Sequence, residues 1–309
     1  MNPSMHSRRE LLQASALGFG WIAFSNLAAQ VAGTARPTHF PPKARRVIFL
    51  CMRGAPSHVD TFDYKPALNA ASGRPGLRAG TQLLGSRWKF NQHGHCGMWI
   101  SELFPALARQ ADELCLLNAM QTDLPAHPQA FIKMHTGTSQ FVRPSLGAWI
   151  HYGLGSLNEN LPGFVSITPP SGFGGAQNYG SAFLPAMHQG SRIGVDNRPI
   201  ATAEIPNLKA RIPPAEQRIE LDLAQALNRD NLLREPANAQ VEGIIESFEL
   251  AFKMQRELPD VMDLTRESDA TKKLYGIGEA VTDDFGRKCL LARRMAEAGV
   301  RFIEITHGN

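Results

Sequence analysis

The chain has 309 residues, 43% hydrophobic and 19% charged, which supports one large buried core or two small ones and excludes an intrinsically disordered protein. Its formal net charge of +4 comes with basic residues interleaved with acids, as in KMQRE and TRESDATKK, and not in a basic stripe with aromatics, which argues against nucleic-acid binding. The four cysteines, Cys51, Cys96, Cys115 and Cys289, form no CxxC or CxH pattern of a structural zinc site; Cys51 and Cys115 sit in apolar runs and read as small core hydrophobes, with a single disulfide left open.

The chain starts with the layout of an export leader. Arg8 and Arg9 precede an apolar stretch from about Ala14 to Ala29, shorter than the ~20 apolar residues a spanning helix needs and diluted by Gly18, Gly20, Ser25 and Asn26. Paired arginines before such a stretch resemble the twin-arginine (Tat) address. Residues 1–35 are therefore expected to be a cleaved signal and linker, read by the Tat export machinery, with no stable membrane span. The protein is expected in the periplasm or outside the cell, with residues 36–309 forming the folded domain.

After the linker RPTHFPPKARR, the run Val47 to Met52 has the continuous apolar character of a strand buried on both faces of a parallel sheet. Three more runs resemble it: Leu114 to Ala119, Phe164 to Thr168 and Val300 to Thr306. Helical periods lie between them. Ser101 is placed to cap SELFPALARQADE and Ser145 to cap SLGAWIHYG; a long helical region covers 215–257; the last helix spans about 283–298 and closes on Gly299. Residues 170–212, rich in Gly, Pro, Ser and Asn, read as a long loop of the kind that is more often functional than idle. Strands alternating with helices predict an α/β fold with a mainly parallel sheet flanked by helices.

In such sheets ligands bind beyond the carboxyl ends of the strands. The first run leads into RGAPSHVDTFD, where Arg53 is a candidate substrate contact and His58, Asp60 and Asp63 are candidate metal ligands. His58 and Asp60, two apart in an extended loop, would face the same side and could share one ion; the alternative is that Asp60 and Asp63 cap a turn and His58 bonds backbone. The second run leads into QTDLPAHPQAF, which supplies Thr122, Asp123 and His127 ahead of a helix with Pro128 in its first turn. A hydroxyl at a helix N-terminus is placed to attack an anionic ester, so Thr122 and His127 are candidate catalytic groups and Asp123 a candidate substrate contact, with a plain Thr-Asp cap as the alternative. GFGG after the third run lacks the spacing of a dinucleotide site. The fourth delivers His307. His135, His151 and His188 read as structural.

The blocks SRRELL, VIFLCMRGAPSHVDTFDYKPAL, QTDLPAHPQAFIKMHTG, RPSLGAWIHYGLGS, GGAQNYGSAFLPA and FGRKCLLARRMAEAGVRFIEITHG resemble, in order along the whole chain, the Tat-exported proteins labelled domain of unknown function 1501. That family is in turn similar to the sulfatase-like members of the alkaline phosphatase superfamily. The resemblance implies an alkaline-phosphatase-like sheet, a divalent metal such as zinc or calcium held by Asp60 together with His58, a nucleophile between Thr122 and His127, and a later metal-ligand histidine at His307. Relatives continue past the HG at 307–308, so the domain is expected to be incomplete at its C-terminus; the sulfatase Cys-x-Pro-x-Arg signature is absent. The function expected from the resemblance is metal-dependent hydrolysis of phosphate or sulfate esters of a small molecule or polysaccharide. A non-catalytic envelope binding protein and an inactive truncated product are the alternatives.

Overall fold

The computed structural model describes residues 41, 43–54, 56–205, 208–234 and 238–307. The leader with Arg8 and Arg9 lies outside the described residues. In chain order the main elements are β1 (Val47–Met52), α1 (His58–Thr61), α2 (Pro66–Ala70), β2 (Phe90–His93), β3 (Met98–Ser101), α3 (Pro105–Ala108), α4 (His127–Thr136), α5 (Leu146–Leu154), β4 (Phe164–Ile167), β5 (Ser191–Ile193), α6 (Pro214–Arg234), α7 (Ala239–Met262), α8 (Asp269–Leu274), α9 (Asp283–Glu297) and β6 (Phe302–His307). They fall into two compact units, one from Gly54 to Pro125 and the other from the residues up to Arg53 together with those from Ala126 onward.

The larger unit is α/β. Its sheet has four strands in the order β1-β6-β4-β5, all parallel, with Ile303 of β6 opposite Ile48 of β1 and Val165 of β4. Side chains alternate across the sheet. Ile303 and Ile305 of β6, with Val165 and Ile167 of β4, pack on Leu291, Ala292 and Met295 of α9. On the opposite face Phe302 meets Phe164 with ring centroids 5.2 Å apart, and Glu304 meets His135 of α4. Ser145 caps α5 by accepting the Ala148 N–H, and Gly299 leaves α9 at φ 101°. Both agree with the spacing of the sequence.

Four expectations are corrected here. β1 is an edge strand: Cys51 is buried, but Val47, Ile48, Leu50 and Met52 are exposed, because only β6 pairs with it among the described residues. The expected loop between 170 and 212 contains β5, three residues long and too short to show an alternation in sequence. The helical stretch 215–257 is divided between two helices, α6 and α7; residues 235–237 between them lie outside the described residues. Ser101 ends β3 and does not start a helix. Pro105 keeps Phe104 out of the helical region, at φ −121° and ψ 58°, so α3 begins at the proline.

The smaller unit, Gly54–Pro125, is built on the antiparallel hairpin β2–β3. Ile100, Ala108 and Ala111 form its core, with Phe62, Met98, Phe104 and Leu114 around them. The Asp112 carboxylate accepts the backbone N–H groups of His95 (3.0 Å) and Cys96 (2.8 Å), which ties the hairpin turn to the short helix after α3 and holds the Asp112 carboxyl below the usual carboxylate range. The run Leu114 to Ala119 is not a strand. Leu114 packs on this core while Cys115 and Leu117 face solvent, so Cys115 is not the core hydrophobe its apolar run suggested. An apolar run alone does not separate strand from coil.

Candidate functional site

The smaller unit holds five of the expected site residues. His58 and Asp60 lie in the helical turn α1 and not in an extended loop, so residues two apart project in different directions. The ring of His58 instead meets Asp63, Nδ1 to Oδ2 3.1 Å, with the His58 side chain 76% exposed. The other Asp63 oxygen is 2.9 Å from Lys65 Nζ, and Lys65 is the main cause of a lowered Asp63 pKa. Hydrogen bonds from Ser86 and Ser57 likewise hold the Asp60 carboxyl below its usual range. These acids are satisfied by hydroxyls and a lysine. Thr122 and Asp123 are exposed and precede Ala126, the cap residue of α4, by four and three positions. Thr122 is thus outside the helix N-terminus it was expected to occupy. His127 is the first residue of α4 and is exposed, with Pro128 next to it. Among the described residues no group of three or more His, Cys, Asp or Glu side chains is arranged to hold a metal ion, and the donors of this unit do not by themselves fit a metal centre.

In the larger unit the carboxyl ends of three strands meet. Arg53 follows β1, and its backbone N–H donates to the His307 carbonyl at 3.0 Å, which fixes the ends of β1 and β6 side by side. The Arg53 guanidinium donates through Nη1 to Asp196 Oδ2 at 2.6 Å, its side chain 16% exposed, and lies over the Phe173 ring at 5.4 Å. Only one of its five N–H donors is used in that pair. Thr168, at the end of β4, is buried at φ 50°; its hydroxyl donates to the Thr306 carbonyl at 3.1 Å. A β-branched residue at positive φ is a genuine outlier, and such strain collects at functional sites.

His307 closes this rim. Its ring lies 4.6 Å from that of Phe285. Burial, then Lys288 and Arg53, lower its pKa, with Asp284 opposing, which favours the neutral imidazole, the form that can accept a proton. The Lys288 ammonium pairs with Asp284 at 2.8 Å, and Asp284 also accepts the Ile200 N–H at 2.6 Å. Arg53 and His307 were both candidates in the sequence. Thr168, Asp196, Asp284 and Lys288 were not, since only the fold brings them to one sheet edge; the Thr168-Pro169-Pro170 break after a strand was the one visible signal.

A family model described as Protein of unknown function (DUF1501) matches residues 44–309, and the chain belongs to that family. No curated protein and no solved structure matches it. No helix among the described residues is long and apolar enough to cross a membrane.

Proposed function

We propose that this member of the DUF1501 family binds and hydrolyses an anionic ester, a phosphate or sulfate ester of a small molecule or polysaccharide, at the carboxyl end of its parallel sheet. The observation that carries the reading is the half-buried Arg53, oriented by Asp196 and Phe173 and bonded through its backbone N–H to His307. Guanidinium is the cation suited to the several oxygens of a phosphoryl or sulfuryl group. In this reading the free N–H donors of Arg53 bind those oxygens and stabilise the charge that grows on them. His307 takes a proton from a water whose oxygen bonds to phosphorus or sulfur as the P–O or S–O bond to the leaving group breaks; the imidazolium returns the proton to the leaving oxygen, giving the alcohol and the inorganic anion. The four parallel strands with helices on both faces support an alkaline-phosphatase-like fold, and the paired Arg8 and Arg9 support Tat export to the periplasm or exterior. The candidate ligands His58, Asp60 and Asp63 belong to one unit and His307 to the other, and among the described residues they form no group of three donors for a zinc or calcium ion, so no step is routed through an ion.

The test is hydrolysis of aryl phosphate and aryl sulfate by the full chain, compared with Arg53→Gln and His307→Asn. Loss of turnover in both variants with unchanged unfolding supports the reading. Turnover that survives both, or no turnover in the parent, refutes it. The pairing of Arg53 with Asp196 favours a second reading, a clasp that orders a binding surface without catalysis. Under it, anions bind and Arg53→Gln weakens them, yet no ester is cleaved.

A further inference from the structure

A cavity of about 930 Å³ in the larger unit lies beside β4 and β5 between the end of α5, the turn 186–188 and α7. It is remote in the chain from Arg53 and His307 and independent of the function proposed above. Two histidines line it, His151 at the last turn of α5 and His188 in the turn before β5. His151 is 8% exposed. The rings sit with centroids 4.9 Å apart and planes at 72°, and the Nδ1 atom of each is buried with no hydrogen-bond partner. Two orphaned imidazole nitrogens at one spot are costly unless something satisfies them.

We propose that His151 and His188 together bind a divalent transition-metal ion of borderline softness, zinc foremost, with water completing its shell. Two imidazoles on one tetrahedral zinc, with Zn–N distances of about 2 Å, bring their ring centroids to about 5 Å, which is the separation found. The position of His151 is rigid: a Cβ added at Gly163 would lie 2.5 Å from its Cδ2 and 2.6 Å from its Nε2, so the ring lies flat against the glycine. His188 is held edge-on by Tyr152, centroids 5.1 Å apart. The electrostatics agree with a cation ligand. Burial, then His151, pushes the His188 pKa down to about 4, and burial, then Arg301, lowers that of His151, so both lone pairs are free at neutral pH. On the same wall Glu246 has its pKa raised by burial and by Glu242, a carboxylate that would gain from a nearby cation. Arg192 and Lys253 also line the cavity and oppose a cation, as does Arg301. Hard ions that prefer oxygen, calcium and magnesium, are disfavoured by the two nitrogens.

The full chain, stripped with a chelator, is titrated with Zn²⁺ and with Co²⁺ by calorimetry and by the visible spectrum of the cobalt form. One site is expected, with affinity reduced roughly tenfold or more in His151→Gln and in His188→Gln. It is retained in the double variant His93→Ala/His95→Ala, which removes the histidine at the end of β2 and the exposed one in the β2–β3 turn. Zn²⁺ should also raise the Tm of the parent and not that of His188→Gln. Absence of binding in the parent, or binding that both glutamine variants keep, overturns the proposal. Should those variants fail to fold in chelator, X-ray absorption on the zinc-loaded parent decides: imidazole scattering supports the site and its absence refutes it.

Discussion

The Nε2 of His135 lies 2.8 Å from Oε1 of Glu304 with both side chains at or below 2% exposure, so a helix residue is tied to the central strand by a buried charge pair. The Nδ1 of the same ring donates to the Phe131 carbonyl at 2.7 Å. With both ring nitrogens donating, the imidazole is charged. Burial opposes that charge, but hydrogen bonds with Cys51 and Glu304 and the pull of the carboxylate outweigh it and raise the pKa to about 10. Removing either partner leaves an unpaired buried charge, so His135→Ala or Glu304→Ala should each cost about 3–5 kcal/mol. Replacing both by apolar residues of similar volume should cost far less. Urea unfolding of the three variants checks this, and equal losses in single and double variants would be the wrong result.

The same pair sets a pH dependence. The folded pKa of His135 lies above its unfolded value of 6.5, so the native state binds the extra proton and the stabilisation is complete below pH 6.5. It is lost as pH rises through about 10. Stability should therefore fall from neutral to alkaline pH, and the fall should flatten in a variant lacking His135. Thermal unfolding at a series of pH values measures it; a parent more stable at pH 10 than at pH 7 would contradict the charged pair.

Thr168 offers a test of stored strain. Val and Gly in its place both lose the hydroxyl bond to Thr306, worth roughly 1 kcal/mol, but only Gly accepts φ 50° without penalty. Thr168→Gly should be more stable than Thr168→Val by about 1–2 kcal/mol, the reverse of the usual order in a strand. Chemical denaturation resolves a difference of that size.

Close packing of α5 on β4 gives the next expectation. A Cβ at Gly147 would lie 2.6 Å from the Phe164 ring, and one at Gly190 2.7 Å from the same ring. Gly147→Ala should cost about 1–3 kcal/mol through overpacking, and pairing it with Phe164→Leu should recover part of that loss. Strict additivity of the two changes would mean they do not share this contact.

The central strands and the last helix were legible because their signals are local. Apolar runs marked β4 and β6, and Gly299 marked the end of α9. What was not legible depends on partners distant in sequence. Whether Val47 to Met52 is interior or edge depends on which strands lie beside it. The match of Glu304 to His135 joins residues 169 positions apart. Arg53 and His307 could be named from their places after strands, while Asp196 could not, because its role exists only through an ion pair that bridges 143 residues. The histidines at 151 and 188 read as structural in the sequence for the same reason: neither position shows a partner in its own segment.

Arg53 and His307 together form the proposed anion site. Its most direct test is calorimetric titration of the full chain with inorganic phosphate and sulfate, repeated with Arg53→Gln. Saturable binding is expected in the parent, weakened by roughly tenfold or more without Arg53, the loss of a charge-assisted contact of about 1.5–3 kcal/mol, while the unfolding transition stays cooperative. A parent that binds neither anion, or a variant that binds as tightly as the parent, would contradict it.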